Sequence, residues 1–116
     1  MTNEIKKILT STNKCLLIST FNNDILVLPC NYYFDVLNSD LIITFTAYNN
    51  TLNNLLKHPD LTLYITVCDE YQIYYLIIDG NACVSSTAFN QPIPNNNSSY
   101  QVKIKIINAT CYTEKR

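Results

Sequence analysis

Asn49, Asn50 and Thr51 carry the most chemical promise in this chain, because they are capping residues placed where a β run gives way to a helix. Their side-chain oxygens can accept from the orphan backbone N–H groups that open a helix. Those same N–H groups, with the positive end of the helix dipole behind them, suit an anion. An ordinary capped connector has the same composition, so spacing alone leaves both readings open. Asp69-Glu70 is the next candidate, and its place in a connection reads as a solvated turn rather than an acid–base pair. No paired carboxylates and no Ser/His/Asp arrangement stand out, so no catalytic residue is assigned.

The elements that must position this turn are legible on both sides of it. Leu41-Ile42-Ile43-Thr44-Phe45-Thr46 is β-branched and aromatic, which suits a pleated, half-buried surface. Leu52, Leu55 and Leu56 fall at i, i+3 and i+4 and predict one narrow apolar helix stripe. Pro59 ends that helix, since it lacks an N–H and restricts His58 away from the α region. A β run from Leu61 to Cys68 follows at once. So short a helix has to pack on a sheet to be stable.

The rest of the chain reads mostly as strands. Asn3 caps a first helix whose apolar face is Ile5, Ile8 and Leu9, and Thr10 to Asn13 end it. Cys15 to Thr20 is a buried strand, and Asn22-Asn23-Asp24 turns it into Ile25 to Pro29. Pro29 cannot donate to a ladder and predicts an edge or bulged position. The strand resumes through Cys30 to Phe34, and Asn38-Ser39-Asp40 turns into Leu41. Tyr74 to Ile78 is apolar on both faces and predicts a central strand. Gly80 marks a bulge or bend before Ala82-Cys83-Val84, and Gln91 to Asn97 is a proline-punctuated polar loop. Tyr100, Val102, Ile104 and Ile106 alternate with polar residues as a strand with one wet face. The fold class is mainly β with two short helices, a single domain over residues 1–116 built as a barrel of six or more mostly antiparallel strands.

Composition removes several function classes. The 116 residues carry eight basic and nine acidic side chains, scattered without a nucleic-acid footprint. No apolar run approaches the roughly 20 residues of a membrane span, and the N-terminus lacks a secretory h-region. The one glycine, where average usage predicts roughly eight, rules out glycine-loop phosphate cradles. Any phosphate must be held by side chains and a helix end. The five cysteines are odd in number, lack a C-x-x-C and sit in or beside apolar β runs. They read as reduced core or near-core thiols of a cytoplasmic protein rather than redox groups. A metal site is not expected, with His58 the sole histidine.

From Glu4 to Tyr112 the chain resembles the pyridoxamine 5'-phosphate oxidase-like flavin-binding split β-barrels. Asn54-Leu55 and Pro59 are similar to that family's short helix of the form x-N-L-x-x-x-P, and Leu61 to Val67 to its next strand. Lys14 to Phe34 resembles its opening hairpin, with Pro29 before the flavin edge. Ile78-Asp79-Gly80-Asn81-Ala82 resembles an x-x-G-x-A strand, and Tyr100 to Tyr112 the closing one. The resemblance implies a homodimer that holds flavin mononucleotide (FMN) between subunits. Thr46, Ala47, Tyr48, Asn49 and Thr51 would lie at the phosphate turn, and Pro29, Cys30 and Asn31 along the flavin ring.

Thr51 stands where the family carries a lysine, and the second strand offers no arginine, so Lys14 or Lys57 would have to supply the positive charge. The resemblance thus implies a small FMN-dependent oxidoreductase acting on a small molecule, or a homodimer whose flavin site has lapsed. Another ligand of the same cleft, such as haem, is a third possibility. Pyridoxamine phosphate oxidase activity itself is disfavoured, because the chain is short at the end that completes the substrate phosphate site in that enzyme. Tyr32-Tyr33, Tyr71 and Tyr74-Tyr75 suit strands and a dimer interface, or stacking on a flavin.

Overall fold

Two asparagines decide how the first hairpin is built. Asn22 and Asn23 adopt φ values of 51° and 68°, the left-handed pair that a two-residue hairpin turn requires and that asparagine tolerates better than most residues. Asp24 already pairs with Phe21, so the turn is two residues long and not the three of Asn22-Asn23-Asp24. The difference shifts the register of the hairpin by one, and a shift of one moves every side chain to the other face.

The computed structural model describes residues 1–45, 50–84 and 100–116. In chain order these form α1 (Asn3–Ser11), β1 (Lys14–Phe21), β2 (Asp24–Asp35), β3 (Asp40–Phe45), α2 (Asn50–Lys57), β4 (Asp60–Cys68), β5 (Gln72–Val84) and β6 (Tyr100–Lys115). The strands close into an antiparallel barrel in the order β1-β2-β3-β6-β5-β4. The expected mainly-β barrel is therefore present, with β5 central between β4 and β6. The predicted polar loop Gln91 to Asn97 lies outside the described residues.

Inward alternation fills the barrel. Leu17, Leu41, Ile43, Leu63, Leu76, Ile78, Val102 and Ile104 have no exposed surface, and burial of each such side chain contributes about 1.5–3 kcal/mol. The two helices sit towards opposite ends of the β1–β2 hairpin. Near one end, Tyr32 donates its hydroxyl to the Leu9 carbonyl of α1 at 2.9 Å. Near the other, Asn54 of α2 donates to Ser19 of β1.

Several local expectations need correction. Thr2, not Asn3, caps α1, accepting from the Ile5 N–H at 3.2 Å; Asn3 is the first helical residue. Leu56 is exposed, because α2 docks through Thr51, Leu52, Asn54 and Leu55 instead. Cys68 and Cys83 are exposed rather than near the core. The irregularity expected at Gly80 is there, between Asp79 and Gly80, but the extra residue is Ile107 of the facing strand β6. Gly80 itself is needed for closeness: a Cβ would meet Ile104 Cγ2 at 2.6 Å and the Lys105 carbonyl at 3.2 Å.

Candidate functional site

Among the described residues, the β2–β3 ladder stops at Tyr32 although β2 extends back to Asp24. Tyr32 donates its N–H to the Asn13 carbonyl at 2.8 Å, so Tyr32, and by alternation Cys30, turn their backbone groups towards β1. Pro29 and Asn31 turn theirs the opposite way. β3 takes up that edge only from Tyr32, paired with Ile43, to Asp35, paired with Asp40. Thr44 and Phe45 would continue the ladder past Tyr32, but among the described residues they pair with Gln101 and Tyr100 of β6 alone. Among the described residues, none on the β3 side is a register partner of Pro29, Cys30 or Asn31. Thr46, which the β2–β3 register would set opposite Pro29, lies outside the described residues, and the expected edge or bulged position of Pro29 with it.

α2 adds a polar wall beside the same strand. Asn50, Asn53, Asn54 and Lys57 share one helix face by their i, i+3, i+4, i+7 spacing. With Asp24 and Leu26 of β2 they line a cavity of about 220 Å³. Asn54 is buried and donates its Nδ2 to the buried Ser19 Oγ at 3.1 Å. Its Oδ1 has no hydrogen-bond partner among the described residues. An unsatisfied buried acceptor costs about 1–3 kcal/mol, so this atom favours any donor that enters from the cavity.

The sequence-derived candidates divide accordingly. Pro29 and Asn31 are exposed, and Cys30 points inward, half-buried, its Sγ 3.4 Å from that of Cys15. Thr51 lies in the opening turn of α2 with its side chain buried, so the backbone N–H is what it can offer a ligand. Thr46, Ala47, Tyr48 and Asn49 lie outside the described residues. Of the two cations considered, Lys57 lines the cavity. Lys14 is the cross-strand partner of Asn31, towards the opposite end of the hairpin. Lys57 stands seven residues after Asn50, about 10 Å along the helix axis. Asp24, which sequence reasoning did not place here, puts a carboxylate on the same cavity wall.

The tyrosines also separate. Tyr32 is buried and bonded to α1, while Tyr33 and Tyr71 are exposed. Tyr74 and Tyr75 donate their hydroxyls to Asp69 at 3.2 Å and Glu114 at 2.9 Å. Asp69 accepts the Tyr71 and Gln72 N–H groups at 2.8 Å each, which makes Asp69-Glu70 the turn that its sequence context suggests.

No protein-family model matches this chain, and no curated protein sequence does. Solved structures do. A FAD-binding protein from Mesorhizobium loti superposes with a TM-score of 0.81 at 12% identity, covering 98% of this chain and 96% of its own. The FAD-binding protein of Mycobacterium smegmatis gives 0.76 at 13% identity, covering 98% and 97%. A pyridoxamine 5'-phosphate oxidase candidate from Listeria innocua gives 0.74 at 16% identity, covering 94% and 95%. The match extends over nearly the full length of both chains in each case. This chain has the split β-barrel fold of the pyridoxamine 5'-phosphate oxidase-like proteins.

Proposed function

We propose that this protein is a flavin-binding split barrel, a small cytoplasmic oxidoreductase that takes FMN and works as a homodimer. The observation that carries the reading is the stretch of β2 from Pro29 to Asn31, which has no β3 register partner among the described residues and lies on the same strand as the cavity residues Asp24 and Leu26. A flavin ring presents alternating carbonyl and N–H groups on one side. The Pro29 carbonyl would accept from a ring N–H, and the Asn31 N–H would donate to a ring carbonyl. The orphaned Asn54 Oδ1 adds a buried acceptor at the cavity wall. The fold neighbours named for FAD binding support a flavin as the ligand class. When bound, the flavin supplies the hydride chemistry; the chain's residues hold and orient it.

The phosphate end fits less well. Lys57 is offset by Asp24 in the same cavity wall, and Thr51 contributes no exposed side chain. A helix N-terminus supplies about 0.3–1 kcal/mol to an anion, against about 1.5–3 kcal/mol for a hydrogen bond to a charged partner. The site is accordingly one that holds the ring better than the phosphate. That same imbalance favours the second reading, a dimer with a lapsed flavin site.

The dimer rests on the outer face of the sheet. Leu16 is cross-strand neighbour to Pro29 on one side and to Tyr64 on the other, with Val27 nearby. All of these are exposed. A contiguous apolar face of this kind marks an association surface. Equilibrium dialysis against FMN tests the reading: one flavin retained per chain is expected, and no retention at millimolar FMN leaves the lapsed-site dimer.

A further inference from the structure

The most chemically loaded contact in the molecule is not at the cavity but between two thiols. Cys15 and Cys30 are direct cross-strand partners in the β1–β2 hairpin, both on the inner face, with their Sγ atoms 3.4 Å apart. Directly opposed residues in an antiparallel pair hold their Cα atoms about 4.5–5.5 Å apart. Disulfides need about 4.4–6.8 Å. The backbone is thus already within range, and only the sulfurs must close.

We propose that Cys15 and Cys30 form a dithiol–disulfide site that exchanges with small-molecule disulfides, Cys30 attacking and Cys15 resolving. Burial explains the division of labour. Cys30 keeps part of its surface open, and among the described residues it has no β3 register partner, whereas Cys15 is buried. Electrostatics run the same way. The hydrogen bond between the two sulfurs holds the Cys30 thiol below its ordinary range although burial opposes this. The same hydrogen bond, and then burial, push Cys15 far up. The thiolate, not the thiol, is the nucleophile, so the less buried cysteine is also the one whose thiol ionises more readily.

The exchange balances in two steps. The Cys30 thiolate attacks one sulfur of a disulfide RSSR, forming Cys30–S–S–R and expelling RS⁻. Cys15 then loses its proton to solvent and attacks the Cys30 sulfur, expelling the second RS⁻. Both thiolates take up protons. Two protein thiols are oxidised by two electrons, and RSSR is reduced to two molecules of RSH.

The test uses the full chain with Cys68, Cys83 and Cys111 changed to serine, so that only this pair reports, and oxidised glutathione as the probe. Intact mass should show the loss of two hydrogen atoms with no lasting glutathione adduct, and peptide mapping should join Cys15 to Cys30. Removing Cys15 as well (Cys15→Ser) should stop the reaction at a glutathione adduct on Cys30. Removing Cys30 instead (Cys30→Ser) should leave Cys15 unmodified while the protein is folded. Peptide mapping of the natural chain, treated in the same way, guards against misfolding of the substituted background. A stable adduct on Cys30 with Cys15 present, a different cysteine pairing, or both thiols left reduced would overturn the proposal.

Discussion

Asn54 reaches from α2 to the hydroxyl of Ser19 on β1, 3.1 Å away, and both side chains are buried. It is the bond that seats α2 on the hairpin, and it fixes the helix face that borders the cavity. Asn54→Ala leaves the Ser19 hydroxyl buried without this partner and should cost about 1–3 kcal/mol. Replacing both partners with apolar residues, Ser19→Ala with Asn54→Leu, should cost less than the sum of the single changes. Urea unfolding of the four proteins measures the coupling, and strict additivity would show that the pair does not hold the helix.

Gly80→Ala should destabilise the barrel by about 1–3 kcal/mol, the usual cost of overpacking. The new methyl meets Ile104, which has no exposed surface to move into, and the backbone carbonyl of Lys105. Thermal unfolding reads this. An unchanged midpoint would mean that β5 and β6 part there more easily than the structure implies.

Acid should loosen the turn between β4 and β5 before the barrel itself. The Tyr71 N–H and then the Gln72 N–H, with a smaller contribution from the Tyr74 hydroxyl, hold the Asp69 carboxyl below the usual carboxylate range. A depressed folded pKa stabilises the folded form above the ordinary carboxylate value, and that contribution is lost as pH falls through the depressed one. Relative to the intrinsic rate at each pH, amide exchange at Tyr71 and Gln72 should therefore quicken below about pH 4, and in Asp69→Asn protection should be low without that pH step. Protection that is flat with pH in the natural chain would sink this assignment.

The protein should run as a dimer in light scattering at micromolar concentration, and Leu16→Glu should shift it to monomer. Leu16 sits between Pro29 and Tyr64 on the outer sheet face, and a charge there must stay hydrated. A monomer in the natural chain contradicts the proposed assembly.

The succession of strands along the chain was legible because strands and turn residues alternate clearly. The hairpin register was not, because Asp24 is as good a turn residue as Asn22 or Asn23. Counting it into the turn pairs Cys15 with Asn31, whereas the two-residue turn pairs it with Cys30. That single position hid the thiol pair. On α2, reading the leucines alone missed that Thr51 and Asn54 share the buried face and Leu56 does not. The helix docks on a buried serine as well as on apolar side chains, and sequence spacing does not reveal which partner waits opposite.

The proposed site lays a flavin ring along β2 at Pro29 to Asn31, with its phosphate poorly matched by α2. Fluorescence-quenching titrations with riboflavin, FMN and FAD, on the natural chain and on Asp24→Asn, test this most directly. All three flavins should be quenched saturably, with FMN preferred to riboflavin by less than about tenfold, since the charges in the cavity wall nearly cancel and exposed pairs contribute only about 0.2–1 kcal/mol. Asp24→Asn should tighten FMN and leave riboflavin unchanged. If no flavin is quenched by either protein, the cleft is not a flavin site and the account is wrong.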